Sequence, residues 1–197
     1  MEPDILYEVR DHVAYVTINR PARRNALDLA ATADLVRCFC DAADDDSVWA
    51  VLLTGTGDKA FCAGADLKEF DELAKQGRRF PMPMTGPERN LFEVVLETYK
   101  PVVAAINGPV LAGGCELALA CDLRIAADHA VLGMPEAKRG MGANYATVLL
   151  PRLVPRAIAL EMLYTGEPLS APDALRWGLF NRVVASADLR AESEQLV

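Results

Sequence analysis

An apolar run from Val102 to Ile106 meets Asn107-Gly108-Pro109, then a glycine pair at Gly113-Gly114, and then an Ala- and Leu-rich helical run whose first turn carries Glu116. This stretch, Ile106 to Asp122, restricts the fold more than any other. It reads as strand, glycine-rich loop and helix N-terminus. Glycine lets a backbone approach a ligand closely and adopt positive φ. The first turn of a helix holds unpaired N–H groups and a partial positive charge. Together they suit a negative charge developing on a substrate oxygen, and Glu116 stands beside them as an acid or base. The same pattern also serves plain close packing, with Glu116 answering the helix dipole, so the rest of the chain has to supply complementary chemistry.

Strand and helix patterns alternate along the chain. Val13–Ile18 alternates and is β-branched, which predicts a strand, paired with Tyr7–Val9 through a turn at Arg10-Asp11-His12. Pro21 stops that strand. Asp28 is the expected cap of a helix over 29–43, with Leu35, Val36, Phe39 and Ala42 at helical spacing. Trp49–Thr54 is almost wholly apolar, as in a strand covered on both faces. Gly55-Thr56-Gly57 lacks the third glycine and the helix of a dinucleotide loop, so that reading is rejected. Ala60–Cys62 is expected to be a short strand that ends in Ala63-Gly64-Ala65, with a helix starting at Asp66. Residues 76–87, rich in Gly, Arg, Met and Pro, read as a surface loop, and Glu88–Tyr99 as a helix. Further strands are expected over 122–126, 130–132 and 180–184. Helices are expected over 145–153, 157–163, 172–177 and 188–197.

The 197 residues suit one domain, and 52% hydrophobic residues supply a sizeable core. A net charge of −8 gives a nucleic-acid role no overall electrostatic support. Cations are nonetheless grouped locally, with Arg20, Arg23 and Arg24 within five positions, where a phosphorylated ligand could meet them. Five cysteines form no CxxC pair and no Cys/His cluster, so no metal site is expected and reduced thiols point to a cytoplasmic chain. Cys115 reads as a buried filler rather than a nucleophile, since neither His12 nor His129 is near it in sequence. The acidic start, Met1-Glu2-Pro3-Asp4, lacks the basic region of a signal peptide. No apolar run reaches the roughly 18 residues of a membrane span.

Two small-residue helix starts and two spaced carboxylates now form one set. Ala60-Phe-Cys-Ala-Gly-Ala-Asp-Leu67, the run from Asn107 to Asp122, and Pro135-Glu136 resemble the enoyl-CoA hydratase/isomerase (crotonase) superfamily. Asn19-Arg-Pro21 with Asn25-Ala-Leu27, and Leu163-Tyr-Thr-Gly166 with Ala174-Leu-Arg-Trp-Gly-Leu179, support the resemblance. It runs in order from about Val13 to Val184.

The resemblance implies an α/β fold, a spiral of repeated ββα units forming a single acyl-CoA-binding core over 1–197. The C-terminal helices of the family are expected to be incomplete here. It implies an oxyanion hole from the backbone amides of Ala65 and Gly113, and acid/base work by Glu116 and Glu136. Arg24, Ala26, Ala63, Asp66, Leu67, Gly114 and Pro135 are the expected contacts to substrate and coenzyme A. Coenzyme A is part of the substrate, and no separate cofactor is expected. The implied reaction is reversible hydration of a 2-enoyl-CoA. Isomerase members often keep only the later carboxylate, so the presence of both favours hydration. The alternatives are enoyl-CoA isomerisation, dehydration of a carnitinyl-type thioester, and a non-catalytic acyl-CoA-binding subunit. The expected assembly is a homotrimer or a dimer of trimers, with no nucleic-acid or membrane partner. One segment departs from the common family pattern: Gly140-Met-Gly-Ala-Asn-Tyr145 stands where many hydratases have Pro-Gly-x-Gly-Gly.

Overall fold

The structure, a computed structural model, describes residues 2–78 and 89–197. The expected loop over 76–87 and the expected helix start at Glu88 therefore fall largely outside the described residues.

The chain opens with a hairpin, β1 (Ile5–Arg10) and β2 (Val13–Ile18), paired antiparallel. Its two-residue turn uses Asp11 and His12 at φ 50° and 67°. Positive φ at both centres matches the right-handed twist of the flanking strands. After α1 (Leu29–Asp44) come β3 (Ala50–Gly55), α2 (Leu67–Lys75), α3 (Leu91–Leu96), β4 (Val102–Ile106), the two-residue β5 (Val110–Leu111) and α4 (Gly113–Ala120). The remainder is β6 (Leu123–Ala127), β7 (Val131–Gly133), α5 (Ala146–Leu153), α6 (Arg156–Thr165), β8 (Leu169–Ser170), α7 (Ala171–Arg176), β9 (Arg182–Val184) and α8 (Leu189–Glu194).

One sheet has the order β1-β2-β3-β4-β6-β9, parallel from β2 onward. A smaller sheet has the order β5-β7-β8. Burial on both faces explains the apolar strands. In β4, Val102, Ala104 and Ile106 join the main core, while Val103 and Ala105 join a second cluster on the opposite face. The main core also takes Ala31, Leu35, Cys38, Phe39 and Ala42 of α1 at helical spacing. Across the sheet, Leu189 of α8 packs with Val13, Leu52, Val103, Ile125 and Ala127. Arg124 of β6 is buried at 5% exposure and donates to the carbonyls of Leu179, Ala118 and Cys121, which ties the end of α4 to the segment leading into β9.

Two expectations change in detail. Ala60–Cys62 is not a ladder strand: Cys62 makes an isolated bridge to Val110, because β5 is two residues long and the chain turns away at Gly64, φ 87°. The helix expected to run to Tyr99 stops at Leu96, and Tyr99 takes φ 57° before Pro101. The strands β5 and β8 were not expected; two residues carry no alternation to read.

Parallel pairing sends three connections out at the same edge of the sheet. These are the segments after β2 (19–27), after β3 (56–66) and after β4 (107–112). The crevice outside the carboxyl ends of parallel strands is where α/β sheets place ligands. Side chains fix these connections to one another. Asn25, 1% exposed, donates to the carbonyls of Thr56 and Ala60 at 3.1 and 2.7 Å. Asn107 accepts from Gly55 N–H at 3.1 Å and donates to Gly57 O at 2.6 Å.

The approach of α4 to the 60–65 segment allows no side chain at Gly114, where a Cβ would sit 2.2 Å from Cys62 O. Gly142 has open space around its would-be Cβ. Gly114→Ala is therefore expected to lower unfolding stability by about 1–3 kcal/mol. Gly142→Ala is expected to stay within about 0.5 kcal/mol of the parent. Urea unfolding of both variants checks the contrast.

Candidate active site

The segment 63–66 is held from one side. Leu27 N–H donates to Gly64 O at 2.8 Å and Asp66 N–H donates to Leu27 O at 2.8 Å, forming a parallel bridge between Leu27 and Ala65. Ala63 N–H donates to Arg24 O at 3.2 Å. Parallel pairing alternates the direction of successive N–H groups, so Ala65 N–H is turned away from Leu27. It has no hydrogen-bond partner among the described residues.

The first turn of α4 lies against this segment. A Cβ on Gly113 would lie 3.6 Å from Gly64 Cα and 3.9 Å from Ala65 N. A Cβ on Gly64 would lie 2.9 Å from Gly113 N. Gly113 N–H likewise has no partner among the described residues, as expected for the first residue of a helix. Two free amides thus border one small space, kept open because Gly113 has no side chain.

Both predicted carboxylates are buried. Glu116, 3% exposed, sits in the first turn of α4. Its Oε1 accepts from Ala146 N–H at 2.9 Å. Burial raises its pKa, opposed by backbone amides of the 144–146 segment. Glu136, 7% exposed, lies in a 3₁₀ turn (Pro135–Arg139) that follows β7. Pro135 starts that turn and Gly140, left-handed at φ 66°, ends it. Oε2 of Glu136 is buried without a partner among the described residues. Burial, with the charge of Glu116 adding to it, pushes Glu136 up to about 7. A carboxyl near neutrality is poised to give or take a proton at physiological pH. Cys115 is fully buried, and its thiol is pushed well up by burial and by the charges of Glu116 and Glu136, so it stays protonated.

The remaining predicted contacts are distributed unevenly. Ala26 is buried beside the Leu27 bridge, Ala63 and Pro135 are half-buried, and Leu67 is 47% exposed. Gly114 turns its open Cα face to Cys62 rather than to free space. Asp66 caps α2 through Lys68 N–H at 3.1 Å and also faces Arg20 at 3.4 Å. Arg24 is exposed at φ 53°, with its carbonyl engaged by Ala63. Of the grouped cations, Arg20 is not free for a ligand. Its guanidinium donates to Ala26 O and meets the carboxylates of Asp4, Asp28 and Asp66, leaving 10% of the side chain exposed. Sequence spacing missed this cluster because Asp66 lies 46 residues away. It also missed the bond from Ala146 to Glu116, which depends on how residues 140–145 fold back.

Among the described residues, no group of His, Cys, Asp and Glu is arranged to hold a metal ion. No helix among them is long and apolar enough to cross a membrane.

Known proteins resemble this chain along nearly its whole length. Residues 8–197 match the family profile described as enoyl-CoA hydratase/isomerase. The chain is 41% identical over 201 residues to the (E)-benzylidenesuccinyl-CoA hydratase of Thauera aromatica, covering 98% of this chain and 75% of that protein. It is 37% identical to the crotonyl-CoA hydratase of Syntrophomonas wolfei, covering 98% and 74%. A carnitinyl-CoA dehydratase structure from Mycobacterium avium superposes with a TM-score of 0.87 at 40% identity, covering 99% of this chain and 75% of that one. The chain thus spans about three quarters of these relatives, and with their fold and the free amides and buried carboxylates described above it belongs to the enoyl-CoA hydratase/isomerase family.

Proposed function

We propose that this chain is an enoyl-CoA hydratase that adds water reversibly across the double bond of a 2-enoyl-CoA thioester. The observation that carries the reading is the pairing of two buried carboxylates, Glu116 and Glu136, with two unpartnered amides bordering one space. Hydratases acting on crotonyl-CoA and (E)-benzylidenesuccinyl-CoA among the relatives support it.

In the hydration direction, the ionised Glu116 takes a proton from water while the water oxygen bonds to Cβ. The π electrons move through Cα onto the thioester oxygen. The amides of Ala65 and Gly113 hold that enolate oxygen, a contribution worth about 10²–10³ in rate per donor. The enolate then collapses as Glu136 gives its proton to Cα. In dehydration the two carboxyl groups exchange roles. The bond from Ala146 holds Glu116 in orientation, while the unpartnered Oε2 of Glu136 is available for proton transfer. Arg24, Ala26, Ala63, Asp66, Leu67, Gly114 and Pro135 border the substrate in this reading, Asp66 by holding the loop rather than through a free carboxylate. Coenzyme A enters as part of the substrate, and no separate cofactor takes part. The assembly is a homotrimer or dimer of trimers, and the setting is cytoplasmic acyl-CoA and fatty acid metabolism.

A second reading within the same chemistry is dehydration of a carnitinyl-type thioester. Met134-Pro-Glu-Ala-Lys138 and Ala174-Leu-Arg-Trp-Gly178 favour it, together with the likeness to the Mycobacterium avium dehydratase. A panel of enoyl-CoA and 3-hydroxyacyl-CoA thioesters with product identification by mass and NMR separates the two.

Crotonyl-CoA is expected to lose its conjugated absorbance on addition of the protein. Glu116→Gln and Glu136→Gln are each expected to cost about 10²–10⁴ in rate. An unchanged rate in Glu136→Gln removes that residue from the mechanism, and no turnover with any 2-enoyl-CoA sinks the hydratase reading.

The raised Glu136 also sets two pH dependences. Hydration needs it protonated, so the rate is expected to fall as pH rises past about 7. For stability, the unfolded chain loses this proton near the ordinary 4.5 while the folded chain keeps it to about 7. The folded state binds more protons in that window, so stability falls as pH rises from about 4.5 to about 7 and levels off above it. Glu116, raised in the same direction, adds to the slope. Thermal unfolding across this range is expected to show the fall, with a shallower slope in Glu136→Gln.

A further inference from the structure

Ala112, immediately before α4, has φ 54° and ψ −130°. Arg24, at φ 53° and ψ 37°, lies in the ordinary left-handed well. Ala112 does not: positive φ with strongly negative ψ is the first central position of a II′ turn, a region dominated by glycine. An L-residue there is strained and persists only where its surroundings over-determine it.

Those surroundings are visible. Ala112 N–H donates to Gly133 O at 3.0 Å, and Ala112 O accepts the first bond of α4 from Glu116 N–H at 3.1 Å. The preceding residue is fixed as well, by Leu111 N–H on Cys62 O at 3.0 Å. The methyl group of Ala112 faces Gly64 so closely that a Cβ on Gly64 would come within 2.9 Å of it. Gly113 N lies equally near, 2.9 Å from the same position, so the methyl and the amide sit side by side against Gly64.

The torsion ψ of residue 112 sets the tilt of the next peptide plane, and that plane contains the N–H of Gly113. We propose that Ala112 is a positioning residue: its strained backbone aims the Gly113 amide, and its methyl, packed on Gly64 beside that amide, holds the peptide in place before any substrate arrives. The inference rests on the reading of these two amides as an oxyanion hole. Glycine at 112 would relieve the strain and remove the methyl contact on Gly64, letting the 112–113 peptide rotate. Stability and activity should therefore move in opposite directions.

The test uses Ala112→Gly and Ala112→Ser in the full chain. Ala112→Gly is expected to raise Tm by about 2–4 °C and to lower kcat for crotonyl-CoA about tenfold, with KM nearly unchanged. Ala112→Ser keeps a Cβ and is expected to recover most of the lost rate. Hydrogen exchange of the peptide covering 111–118 is expected to speed up in the Gly variant although the protein is more stable. A Gly variant that loses activity and stability together, or keeps full kcat, overturns the proposal, as does a Ser variant that falls as far as Gly. If the parent turns over no enoyl-CoA, the hydratase reading fails by itself. The exchange measurement then decides alone: faster exchange with a raised Tm supports the positioning role, and unchanged exchange overturns it.

Discussion

Backbone-to-backbone contact between α4 and the 62–65 segment is the constraint on which the rest of this structure depends. A helix ordinarily keeps its neighbours at the distance its side chains demand. Here the chain omits those side chains at Gly64 and Gly114, where a Cβ would come within 2.9 and 2.2 Å of its neighbours, and the helix start settles onto Cys62 O and Gly64. Two consequences share that origin. The N–H groups of Ala65 and Gly113 come to one space, and Glu116, one turn into the helix, is carried into the interior. The buried carboxylate and the free amides are thus products of a single packing decision rather than separate inventions.

Burial then sets the electrostatics. Desolvation favours the neutral form of a carboxylic acid, and it raises Glu116 and Glu136 alike. They differ in what opposes it. In Glu116, which accepts an N–H from Ala146, three amides oppose the rise, while in Glu136 only its own amide does, and Glu136 holds an oxygen without a partner among the described residues and feels the charge of Glu116. Two carboxyl groups in one interior therefore have different proton affinities. Nearby, Arg20 gathers Asp4, Asp28 and Asp66 and the carbonyl of Ala26, which ties the loops after β2 and β3 together.

Much of this was legible in the residues. Covered strands announce themselves as apolar runs, so β2, β3 and β4 could be read, and Asp28 signalled the start of α1. The sites of close approach were also legible, because glycine pairs beside a helical pattern have few other uses. What stayed hidden depends on distant partners or on backbone angles. Arg20 looked like one of three available cations until its carboxylates, up to 46 residues away, came alongside it. The amide that holds Glu116 comes from Ala146, in a segment that departs from the common family pattern, so no motif pointed to it. Strands of two residues have no period to detect, and nothing in the letter Ala reveals the turn at residue 112.

Arg124 has a consequence that reaches the other end of α4. Its guanidinium binds carbonyls, two of them at the close of that helix, and feels the charge of Asp122 without bonding to it among the described residues. The macrodipole of a helix places about half a negative charge at the C-terminus and half a positive charge at the N-terminus. A full cation at the C-terminal end cancels the negative pole, and the eight-residue helix is only about 12 Å long. The positive pole at its first turn is then left without its opposite, apart from Glu116 in that turn and Asp122 beside the cation. In a chain with a net charge of −8, this helix end is thus neutralised by a cation held on carbonyl oxygens.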